Sequence, residues 1–144
     1  PTAAAFIAPL SGFGVAAPAV QFIGTELWEA DPGLARVAAL SGALFATVPG
    51  GRFRTLQARY RDRFGSNPSR LASLAYDATL LAVGFAAQWP MGEPFPVARL
   101  DDPKGFSGID GIFRFSGNVA ERGLEVQRVT PGGFVTASPA PTGF

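Results

Sequence analysis

Leu71-Ala72-Ser73-Leu74-Ala75-Tyr76-Asp77-Ala78-Thr79-Leu80-Leu81-Ala82-Val83-Gly84-Phe85-Ala86-Ala87 holds a single charged residue, Asp77, in an otherwise nearly apolar run. Asn67-Pro68-Ser69 stands ahead of it as a cap, so the pattern predicts a helix from about Arg70 to Gln88. A helix apolar nearly all round is expected to be buried on most sides. The run is at the short limit for a membrane span and Asp77 would be costly in lipid, so a buried core helix is the expectation. A carboxylate in such surroundings must be paired, hydrogen-bonded or turned toward a cleft. Two readings of Asp77 stay open: it satisfies backbone amides or an arginine of a neighbouring segment, or it faces a cleft together with Tyr76.

Upstream, Arg52 to Phe64 is the clearest amphipathic helix. Phe53, Leu56, Tyr60 and Phe64 recur at spacings of three and four, which places them on one face. Arg52, Arg59 and Arg63 flank this stripe, Arg54 and Arg61 lie opposite, and Gly65 supplies the stop. Further upstream, Val20 to Gly24 reads as a short buried strand and Ala43 to Val48 as a second. Between them Asp31-Pro32 is a helix start, with the carboxylate as N-cap and proline at the first helical position. Thr2 to Leu10 is expected to form a short helix. Trp28 and Phe45, near the C-terminal ends of the two strands, fall where open α/β sheets place ligands.

Downstream, Trp89 to Pro96 is a proline-rich loop, and Val97 to Leu100 is one helical turn. Gly111 to Phe115 reads as a strand. Gly123 to Val129 alternates apolar and polar, the mark of a half-buried strand, and Pro131-Gly132-Gly133 turns it into Phe134-Val135. The tail from Ser138 to Phe144 is expected to be loose. Strands alternating with helices early and an antiparallel ribbon late make this an α/β chain with a mostly parallel sheet.

Composition narrows the chemistry. The 144 residues include no histidine and no cysteine, which excludes Ser-His-Asp and Cys-His nucleophilic sites, imidazole and thiolate metal sites, and disulfides. Twelve basic against 11 acidic residues leave a formal charge of +1, with no bias toward nucleic acid. The arginines of the Arg52 to Phe64 helix are therefore read as a solvated flank. Glu26, Glu29 and Asp31 are read as capping and solvated groups rather than as a metal or paired-carboxylate site, and no cofactor is expected. Gly12-Phe13-Gly14 and Pro49-Gly50-Gly51-Arg52 are too short for phosphate-binding loops. With 47% hydrophobic and only 16% charged residues, the chain is under-charged for its length, so the expectation is either that a large face packs against something else or that the chain is a piece of a bigger protein.

Taken in order, these segments resemble the C-terminal half of a type I periplasmic binding protein, the family of branched-chain amino acid receptors. The stretches that carry the resemblance are Phe22 to Trp28, Gly42 to Ala46, and Phe53 to Gly65 leading to Pro68. They continue with Ala75-Tyr76-Asp77-Ala78, the Gly-x-x-Gly-x-x-x-Phe pattern of Gly108, Gly111 and Phe115, and the final strands from Glu121 to Phe134. The wording is similar to proteins grouped with bacterial penicillin-binding protein activators, which carry the same fold.

The resemblance implies two α/β lobes with ligand between them, of which this chain has an incomplete set. It implies that residues 1–66 are part of the C-terminal lobe, that 67–121 cross to the N-terminal lobe, and that 122–144 return. It implies a periplasmic solute-binding component for an amino acid or similar small polar ligand, serving an ABC-type uptake system and no enzyme. Tyr76, Asp77, Phe45 and Trp28 are then the expected ligand contacts. The alternative is an interaction protein that activates a penicillin-binding protein and keeps only a vestigial cleft. Expected partners are the small ligand, a membrane permease or a penicillin-binding protein, and a first half or second copy that covers the apolar surface. Roughly the first half of the family pattern has no counterpart here, so the Arg70 to Gln88 helix is expected to lack much of its covering sheet.

Overall fold

The computed structural model describes residues 3–144. Its elements in chain order are α1 (Ala3–Ile7), β1 (Ile23–Gly24), β2 (Leu44–Thr47), α2 (Gly51–Phe64) and α3 (Ala72–Ala86). They are followed by β3 (Phe106–Gly108), β4 (Gly111–Ser116), β5 (Val119–Arg122), β6 (Glu125–Thr130) and β7 (Gly133–Ser138). Thr2, the first residue of the expected N-terminal helix, lies outside the described residues. The chain divides into two units: the segment up to Thr47 with Leu124–Ala140, and Val48–Gly123 with Pro141–Phe144.

In the first unit the sheet order is β1-β2-β6-β7. Only β1 and β2 run parallel, while β2·β6 and β6·β7 are antiparallel. The expected predominance of parallel pairing is thereby corrected: β6 and β7 form a hairpin, and that hairpin is what sits beside β2. Leu34, Leu40, Phe45 and Val129 are the large buried side chains, joined by Ile7 of α1. Backbone bonds of 2.8 and 2.9 Å between Val129 and the Gly42-Ala43 pair draw β6 across the end of β2. Asp31 caps the turn Pro32–Arg36 by accepting the Gly33 amide at 3.0 Å, as its sequence position predicts. The expected buried strand from Val20 is short, and Ile23 is 77% exposed, because β1 lies at the edge of the sheet.

In the second unit β3, β4 and β5 form an antiparallel meander in that order. Phe106 and Phe113 on its strands pack at 5.6 Å, and Phe85 of α3 meets Phe106 edge-on at 5.9 Å. α2 ends at Gly65, whose φ of +71° suits glycine and whose amide reaches the Arg61 carbonyl at 2.8 Å. Arg52 donates to the Ser107 hydroxyl and the Gly108 carbonyl, both at 2.8 Å, which ties α2 to the meander. α2 thus belongs with the meander in the second unit, which begins at Val48.

α3 departs most from expectation. Ser73, Asp77 and Phe85 are buried, but Leu71, Leu74, Leu80 and Val83 are 71, 50, 48 and 62% exposed. One face packs on the meander; the opposite face carries no charged residue and meets solvent. The tail is better anchored than its composition suggests. Pro141 abuts Gly123, and the Arg114 guanidinium lies 4.4 Å above the Phe144 ring.

Candidate functional site

Four sequence-predicted residues fall in two different units. Phe45, on β2, is 1% exposed and belongs to the core of the first unit. Its ring stands 6.1 Å from Trp28 and 5.0 Å from Phe134. Trp28 is half-buried, its indole lying over Gly24, where any Cβ would collide with the ring. The close approach explains why glycine ends β1. Next to this pair Thr47 is buried and donates its hydroxyl to the Glu29 carboxylate at 2.8 Å.

Tyr76 and Asp77 lie in the second unit and face different surroundings. Tyr76 is 39% exposed. Asp77 is 3% exposed and accepts the Ile109 amide at 2.6 Å and Arg122 Nη1 at 3.4 Å. The readings left open by the sequence thus find both a backbone amide and an arginine at this carboxylate. Asp77 also borders a hollow of about 420 Å³, otherwise walled by Leu80, Phe85, Arg99, Phe106 and Phe113.

The turn that Asp77 holds is held from its other end as well. Asp110, 4% exposed, accepts Arg70 Nη1 at 2.8 Å and the Ser73 hydroxyl at 2.6 Å. Arg70 in turn stacks 4.2 Å above the Phe53 ring. Asp77, braced by Arg122, and the Arg70–Ser73 pair, which receives Asp110 of the turn itself, together hold Gly108-Ile109-Asp110-Gly111 against the start of α3. The turn is built for them: a Cβ at Gly108 would sit against the Asp77 carboxylate, and Gly111 has φ +91°.

Sequence reasoning missed Ser73, Asp110, Arg70 and Arg122 as one network. Its available signal was the four-residue spacing of Ser73 and Asp77, which puts both on one helix face. The partners of Asp77 are 32 and 45 residues away, beyond the reach of local pattern.

Chemically, Asp77 is committed to a backbone amide and a cation, and Asp110 to a cation and a hydroxyl, an arrangement that positions backbone. Among the described residues, no three histidine, cysteine, aspartate or glutamate side chains gather as metal ligands would. No helix among them is long and apolar enough to cross a membrane.

No protein-family model matches the chain, and no curated protein matches it. Solved structures do share its fold. A branched-chain amino acid ABC transporter from Rhodospirillum rubrum superposes on 93% of this chain with a TM-score of 0.71 at 21% identity. An extracellular ligand-binding receptor from Desulfohalobium retbaense covers 94% with a TM-score of 0.56 at 22% identity. A leucine-binding protein from Thermotoga maritima covers 94% with a TM-score of 0.54 at 20% identity. The present chain spans 41, 24 and 40% of those three chains. Its α/β fold is therefore a partial type I periplasmic binding protein fold.

Proposed function

We propose that the chain forms part of a periplasmic solute-binding receptor that holds an amino acid or a similar small polar ligand for an ABC-type uptake system. The observation that carries this reading is the shared fold along nearly the whole chain with a branched-chain amino acid ABC transporter. The lack of histidine and cysteine agrees with a binding rather than a catalytic role. In this reading Trp28 and Tyr76 offer the contact surfaces. Phe45 backs Trp28 from the core, and Asp77 fixes the helix turn that carries Tyr76. The uncharged outer face of α3 is covered in the working receptor by the remainder of a two-lobe fold or by a second copy.

The test is thermal unfolding of the full-length receptor with each free amino acid in turn. A ligand that binds only the native state at about 100 times its Kd adds about 2.7 kcal/mol and raises the Tm. A flat response across the whole panel would remove the amino acid reading.

One observation favours a second reading, activation of a penicillin-binding protein through a surface. Met91, in the proline-rich loop between α3 and Val97–Asp101, is fully exposed. Co-precipitation with penicillin-binding proteins that is lost in Met91→Glu would support this role, and an unchanged yield would exclude the loop.

A further inference from the structure

The apolar stripe of α2 is open along part of its length. Leu56, Tyr60 and Phe64 join Tyr76 and Ile109 as the floor of a trough of about 540 Å³. Tyr60 and Phe64 present a tilted ring pair 4.5 Å apart, and Phe64 is 59% exposed. That volume lies inside the range of about 300–1,000 Å³ usual for small-molecule sites, whose lining is mostly apolar with a few placed polar groups.

The polar groups here are of one sign. Arg52, Arg59 and Arg63 rim the trough. Arg52 is committed to Ser107 and Gly108, whereas Arg59 and Arg63 form no ion pair among the described residues. α2 carries five arginines against Asp62 alone, in a chain whose formal charge is only +1. Charge complementarity thus asks for an anion, and the floor asks for a flat apolar body.

We propose that this trough binds an amphipathic monoanion, an aromatic carboxylate whose ring lies on Tyr60, Phe64 and Tyr76. Its carboxylate meets the Arg59 and Arg63 guanidiniums, which can receive it in bidentate fashion. A zwitterionic amino acid fits less well, because its ammonium would be brought up to the same arginines. The site shares Tyr76 with the receptor reading, but its other contacts, Arg59, Tyr60, Arg63 and Phe64, are its own and it takes a different ligand.

The experiment is calorimetric titration of the 144-residue chain with 3-phenylpropionate, with its neutral amide and phenylalanine as controls. The expected result is saturable binding of the acid, with the amide and phenylalanine at least about fivefold weaker. Arg59→Gln with Arg63→Gln should weaken the acid about tenfold, at unchanged helix content by circular dichroism. Raising salt from about 50 to about 500 mM should weaken the parent and leave the double variant nearly unaffected. Equal affinity for acid and amide, an unaffected double variant, or no saturable binding would each overturn the proposal. So would self-association that buries the trough, read as a concentration-dependent sedimentation coefficient abolished by Phe64→Glu.

Discussion

The Asp77 carboxylate accepts the Ile109 amide at 2.6 Å across 32 residues of sequence, and this bond joins α3 to the turn between β3 and β4. The same carboxylate faces Arg122, whose guanidinium also stands 5.2 Å from the Phe113 ring centre. Removing it strands a half-buried amide and a half-buried cation together. Asp77→Ala should therefore cost about 3–5 kcal/mol, and Asp77→Asn, which keeps an acceptor, less. Urea unfolding of the two variants measures the difference; equal, small losses would mean that the clamp does not hold the turn.

Gly108 is tested by the opposite change. An added methyl would press on the Asp77 carboxylate, which is backed by its own partners and has little room to retreat. Gly108→Ala should cost about 1–3 kcal/mol, as overpacking does. In Asp77→Ala the same substitution should cost much less, so a double-mutant cycle should give a coupling of about 0.5–3 kcal/mol. Additive effects would contradict the contact.

Phe45 and Phe64 separate core from surface. Phe45 is 1% exposed and packed against Phe134, so Phe45→Ala should cost about 3–5 kcal/mol. Phe64 is 59% exposed, and its loss should cost less than about 1 kcal/mol. Thermal unfolding of both variants checks the order.

The uncharged outer face of α3 predicts association. Apolar area withdrawn from water is worth about 25 cal/mol per Å², so the exposed apolar side chains around α3, Leu74 and Val83 among them, favour covering. The 144-residue chain should sediment as more than a monomer, and Leu74→Glu with Val83→Glu should shift it toward monomer. A monodisperse parent monomer would count against a covered face.

Local features were legible in the sequence. The three- and four-residue spacing from Phe53 to Phe64, the Gly65 stop and the Asp31-Pro32 cap depend on neighbours within a turn, and the structure has each of them. The partial type I fold was legible because Tyr76-Asp77 and the Gly108–Phe115 pattern keep their order. Pairing was not. The antiparallel place of β6 beside β2 joins residues about 80 positions apart, as Phe45 with Gln127 shows, and no local period encodes it. The burial of α3 was overestimated because apolar composition records what a helix can bury, not whether a partner is there. The clamp on Gly108–Gly111 escaped for the same reason: Ser73 and Asp77 share a face in sequence, but Asp110 and Arg122 meet them only in three dimensions.

Direct titration of free amino acids into the full-length receptor, read by calorimetry, bears most closely on the solute-binding role. The account predicts saturable binding of a class of amino acids, with affinity reduced by Trp28→Ala in the first unit or by Tyr76→Ala in the second, in protein that remains folded. The absence of binding heat for every amino acid, or binding untouched by both variants, would contradict it.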